Sequence, residues 1–112
     1  MSEPRMYFLV NTSLKMGGKI AGQVGHAVSY LYQDLRKGLK IDYIEQWIRN
    51  KEPKIILKAT QEEINYLLIH NVPPIIVRDC GLTQIAANSL TVIAYYPSPD
   101  MKEYLKTYKL MD

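Results

Sequence analysis

The stretch Lys54-Ile55-Ile56-Leu57-Lys58-Ala59-Thr60-Gln61-Glu62-Glu63-Ile64-Asn65-Tyr66-Leu67-Leu68-Ile69-His70 changes its hydrophobic period at Thr60. Before it, Ile55-Ile56-Leu57 is the continuous apolar run of a strand buried on both faces. After it, Ile64, Leu67 and Leu68 recur at helical spacing, and Thr60 with Glu63 three residues on forms a capping box. Pro73-Pro74-Ile75-Ile76-Val77-Arg78-Asp79 follows as another strand, its prolines confined to the beginning. A strand, a helix and a strand in succession are the mark of an α/β sheet.

The flanks extend the same alternation. On the N-terminal side, Met6-Tyr7-Phe8-Leu9-Val10 is a buried strand, punctuated by Asn11-Thr12-Ser13 and Gly17-Gly18. A helix is expected from about Lys19 to Lys37, because Ile20, Val24, Ala27, Val28, Leu31 and Leu35 form one apolar stripe and Gly38 stops it. A second helix over about Asp42 to Asn50 presents Ile44, Trp47 and Ile48 on one face and stops before Pro53. On the C-terminal side, Gly81 breaks the third strand and Leu90 to Tyr95 makes a fourth. A last helix is expected over about Met101 to Thr107. The connection from Cys80 to Ser89 is too short for a helical crossover, so one antiparallel pairing is expected. These elements imply a single three-layer α/β domain over residues 1–112, with residues 1–5 a loose N-terminus. Its sheet is about four-stranded and mixed, mostly parallel, with helices on both faces.

Composition sets the class. At 112 residues, 47% apolar and 22% charged, the chain is one globular domain rather than a disordered or membrane chain. No apolar run approaches the roughly 20 residues of a membrane span. The single cysteine, Cys80, cannot form an internal disulfide, which fits a reducing, cytoplasmic setting. The net charge of +3 is divided unevenly: residues 1–60 carry +5 and residues 61–112 carry −2. A polyanion would approach the first half; a solvated helix surface is the plainer reading of the same charges.

Ligands of such sheets bind beyond the carboxyl ends of the strands. Those ends supply two constellations here. Lys15-Met16-Gly17-Gly18-Lys19 opens the long helix, so its amides, the helix terminus and two lysines suit an anion; a plain entry turn is the alternative. Lys19, Gln23, His26 and Tyr30 continue it as one polar stripe. His26 by itself is most often a hydrogen-bonded structural histidine. The second constellation is Asp79-Cys80-Gly81-Leu82-Thr83-Gln84, where Asp79 either serves chemistry beside Lys19 or caps its own turn. Cys80 has no ligand-spaced partner. His70 and Trp47 read as structural, and Asn11-Thr12-Ser13 matches a glycosylation site only formally.

At these residues the chain resembles the archaeal and eukaryotic class of peptidyl-tRNA hydrolase. The family's first motif stands here as Leu14-Lys15-Met16-Gly17-Gly18-Lys19-Ile20-Ala21-Gly22-Gln23-Val24-Gly25-His26-Ala27, and the second as Asp79-Cys80-Gly81-Leu82-Thr83-Gln84-Ile85. The first loop is one residue and one lysine shorter than the family's, and Ala87-Asn88 replaces its usual Pro-Gly. The resemblance implies hydrolysis of the ester between a peptide and the terminal ribose of tRNA. It implies Lys19, Asp79 and Thr83 as catalytic residues, with the general base left unassigned. Lys15, Gly17, Gly18, Gln23, His26, Arg78, Gly81, Gln84 and Thr91 would bind the tRNA end. It also suggests a homodimer. No residue set calls for a metal, and neither a cofactor nor a membrane partner is expected. The rival reading is a catalytically weak RNA-binding or protein-interaction module on the same fold.

Overall fold

In the computed structural model the described residues are 3–79 and 88–112. The central strand β1 (Met6–Asn11) is buried at all six positions, and its pleat divides the core in two. Met6, Phe8 and Val10 face one layer with α1 (Ile20–Arg36) and α2 (Ile44–Arg49), against Val24, Ala27, Leu31 and Trp47. Tyr7 and Leu9 face the other, where α3 (Gln61–His70) and α4 (Met101–Leu105) contribute Ile64, Leu67, Met101 and Leu105. Helices therefore cover both faces, as the alternation requires.

β2 (Lys54–Ala59), β3 (Ile75–Arg78) and β4 (Leu90–Ala94) complete a four-stranded mixed sheet in the order β2-β1-β4-β3. Three strands run one way and β4 runs against them. Because β4 lies between β1 and β3, the ladders are one parallel (β1 with β2) and two antiparallel. The expected antiparallel pairing of the third and fourth strands is present, and the pairing of β1 with β4 is a second one that was not expected. Burial explains the placement: β4 is an apolar run buried at all five positions and suits the interior. β3 alternates buried and exposed residues and follows two prolines, as an edge strand does.

Local chemistry fixes the ends of the elements. Thr60 and Glu63 form the expected capping box: Glu63 N donates to Thr60 Oγ1 at 3.2 Å, and Thr60 N donates to Glu63 Oε1 at 2.9 Å. Past α1, Gly38 has φ of +95°, and the bonds Gly38 N to Leu35 O and Leu39 N to Asp34 O, both 3.0 Å, close a Schellman motif. Tyr43 lies in the left-handed region, φ 66°, so α2 begins at Ile44 rather than at Asp42. Trp47 is fully buried and donates its ring N–H to the Pro53 carbonyl at 2.9 Å.

Both chain ends are tied to the sheet. Arg5, expected in the loose N-terminus, pairs with Ser98 through two backbone bonds of 3.4 and 3.2 Å. Residues 109–111 lie along the outer edge of β2, with Lys58 N donating to Lys109 O at 2.9 Å and Met111 N to Ile56 O at 2.8 Å. That segment satisfies an edge that would otherwise offer unpaired amides.

Candidate active site

The C-terminal ends of β1 and β3, the start of β4 and the start of α1 meet at one pole of the sheet. Asn11 anchors it. Fully buried at the end of an apolar strand, its Nδ2 donates to the Leu90 carbonyl at 2.9 Å and to Gln61 Oε1 at 2.6 Å. Its Oδ1 accepts from Ser13 N at 3.0 Å. One carboxamide thereby joins β1, β4, α3 and the loop that carries the lysines. These contacts and its burial make Asn11 a structural hub, not a glycan acceptor. The signal in the sequence was a polar residue closing an otherwise apolar strand.

From that hub, Leu14 and Met16 turn into the core and leave Lys15 exposed between them. Gly17 has φ of +54°, a conformation that favours glycine, and it opens a 3-10 turn over Gly17–Lys19. Met16 O accepts from Lys19 N at 3.1 Å, and Gly17 O accepts from Ile20 N. The turn runs directly into α1, so the helix proper begins at Ile20, one residue later than expected. Lys19 is half-buried, and among the described residues no ion pair involves it.

One turn into α1, Gln23 is buried against Thr91 of β4. The Thr91 hydroxyl donates to Gln23 Oε1 at 2.8 Å and lies 3.1 Å from the Val77 carbonyl oxygen, so its single hydrogen is shared between two acceptors. Thr91 reaches α1 because β4 is bulged. Val92 pairs with Val77 but Leu90 pairs with Arg78, which leaves Thr91 as the extra residue. The bulge reverses the alternation: Val92 and Ala94 face α1, whereas Leu90 faces the opposite layer with Ile93. Thr91 itself is fully buried, and so supports Gln23 from beneath.

Asp79, 2% exposed, extends β3 beyond its last ladder pair. Its N–H donates to Ser89 O at 2.9 Å, and its carbonyl accepts from Asn88 N at 2.8 Å. Arg78 is exposed and donates from Nη1 to the Asn88 carbonyl at 3.0 Å, bracing the same turn. Asn88 has φ of 67°, and asparagine is among the few residues that accept this region without strain. This accounts for Asn88 at a position where the family pattern has glycine.

The structure thus brings Lys19, Gln23, Asp79 and Thr91 to one end of the molecule, with Lys15, Gly17, Gly18 and Arg78 around it. His26 lies farther along α1, exposed and stacked with Tyr30. Cys80, Gly81, Thr83 and Gln84 lie outside the described residues. A cavity of about 1090 Å³ lies at the opposite pole between Tyr43, Val72, Tyr96 and Tyr104. It touches none of these groups.

The chain matches the family described as Peptidyl-tRNA hydrolase PTH2 over residues 4–111. It is 38% identical over 106 residues to the Peptidyl-tRNA hydrolase of Sulfolobus acidocaldarius, covering 86% of this chain and 88% of that protein. A Sulfurisphaera tokodaii protein of the same name is 35% identical, with 85% and 86% covered. The human Peptidyl-tRNA hydrolase 2, mitochondrial, is 33% identical over 87% of this chain and 57% of its own length. Motifs, fold and relatives agree, and the chain belongs to the PTH2 family of peptidyl-tRNA hydrolases.

Proposed function

We propose that this protein hydrolyses the ester joining a peptide to the terminal ribose of tRNA, acting in the cytoplasm as a homodimer. The observation that carries the reading is the convergence of Lys19, Gln23 and Asp79 at one pole of the sheet, in a chain of this family. In the reaction, water adds to the ester carbonyl carbon and the carbonyl electrons move onto oxygen. The resulting oxyanion then collapses with cleavage of the bond to the ribose oxygen, which leaves protonated as the tRNA hydroxyl while the peptide leaves as a carboxylate.

Asp79 with Lys19 orients or activates the water, and Thr83, four residues on in the second motif, positions it or the carbonyl oxygen. Amides of the Gly17-Gly18 turn, reinforced by the start of α1, stabilise the developing oxyanion. Gln23, held by Thr91, and His26 bind the terminal nucleotides, with Gly81 and Gln84 contributing from the second motif. Lys15 and Arg78 meet phosphates, which carries affinity without sequence preference.

Peptide release from N-blocked aminoacyl-tRNA by the purified protein tests this directly. Turnover of the blocked ester with the free-amine form spared is the expected result. Binding of tRNA without ester cleavage at high protein concentration would establish the rival, a binding module on the same fold.

A further inference from the structure

We infer that the exposed face of α1 is the track for the unpaired 3′ end of the RNA, running from Lys19 toward Arg36. This rests on the function proposed above and adds where the strand lies and which way it runs. Lys19, His26, Tyr30, Gln33 and Lys37 succeed one another at intervals of seven, four, three and four, so they form one line along the helix. His26 and Tyr30 are exposed, and their rings lie 6.4 Å apart and 18° from parallel. Seven residues separate Lys19 from His26, about 10 Å along the axis. The rings are therefore too far from the turn to serve the ester atoms, and they suit a base farther along the same strand.

Beyond Tyr30 the line ends in cations. Arg36 and Lys37 are exposed and, with Ser29 and Gln33, border a shallow hollow of about 460 Å³. The one carboxylate on α1, Asp34, is engaged elsewhere, its Oδ2 accepting from Tyr96 OH at 2.7 Å. Cations at both ends, near-parallel rings between them and no unpartnered carboxylate on α1 are the chemistry of a single-stranded nucleic acid: phosphates meet cations and bases meet ring faces. A duplex keeps its bases stacked on one another and would leave the rings unused. The α1 helix of 17 residues is about 25 Å long, room for several nucleotides rather than one.

Steady-state kinetics of the full chain on N-blocked aminoacyl esters of adenosine, of a short oligonucleotide and of tRNA reads the track. Extension beyond adenosine raises kcat/KM in the unmodified protein. Tyr30→Ala then loses about tenfold of that rise, through KM rather than kcat, and Tyr30→Phe restores it. Replacing Arg36 and Lys37 by Gln reduces the slope of log affinity against log salt by about 1.4, the single-strand value for two phosphates. A fluorescent purine near the 3′ end of an uncharged oligonucleotide reports stacking independently of turnover, and Tyr30→Ala abolishes its quenching. Unmodified KM and quenching in Tyr30→Ala would overturn the track while leaving the hydrolase reading intact. Quenching without turnover of any ester would instead overturn the hydrolase reading alone.

Discussion

Gly17 and Gly18 are adjacent in the sequence but answer to different constraints. A methyl group on either meets no atom of the described residues within 4 Å, so packing among them holds neither. Gly17 is held by its φ of +54°; Gly18 lies outside the left-handed region. Gly17→Ala is therefore expected to lower stability by about 1 kcal/mol, whereas Gly18→Ala stays within about 0.5 kcal/mol of the parent. Thermal denaturation separates the two. The glycine turn and its lysines were legible because glycine and charge are properties of single residues. Asn11 was not, since two of its three partners, Gln61 and Leu90, come from distant parts of the chain. The sequence shows only a polar residue where the strand ends.

At the scale of elements, the strands and helices follow from period and caps: the residues of β2 and α3 are those that the change of period at Thr60 marks out. Strand order was less legible, because the placement of β4 between β1 and β3 depends on which apolar run is buried more completely. The bulge at Thr91 was not legible at all. It shifts the phase of Leu90-Thr91 against Val92-Ile93-Ala94, and nothing in that apolar run marks an extra residue. Its consequence is the Thr91–Gln23 bond that joins the sheet to α1 beside the candidate site. Thr91→Val keeps the shape but leaves the buried Gln23 oxygen and the Val77 carbonyl without that donor. It is expected to cost about 1–3 kcal/mol, and Thr91→Ser much less, in denaturant titrations. Equal stability of the two variants would show that the hydroxyl carries no weight.

Across the whole molecule, the two poles of the sheet differ in chemistry. One collects Lys15, Lys19 and Asp79; the other is lined by tyrosines, among them Tyr96, whose hydroxyl joins the end of β4 to Asp34 on α1. Burial, and then the hydrogen bond and charge of Asp34, push the Tyr96 phenol from 10.0 up to about 12. A raised phenol pKa stabilises the fold below the unfolded value and loses that contribution as pH rises toward the folded one. Stability should thus decline between about pH 10 and pH 12, and less steeply in Tyr96→Phe, when followed by alkaline melting curves. The modest net charge of +3 is likewise a property of the whole, made of a cationic N-terminal half and an acidic remainder that supplies Asp79. On the proposed function, affinity and chemistry belong to different groups at the first pole. The most direct measurement of that division is single-turnover hydrolysis of N-blocked aminoacyl-tRNA by Asp79→Asn, alongside the Kd for tRNA. The expected rate is at least about 100-fold lower, with Kd within about threefold of the parent. A near-parental rate in that variant would contradict it.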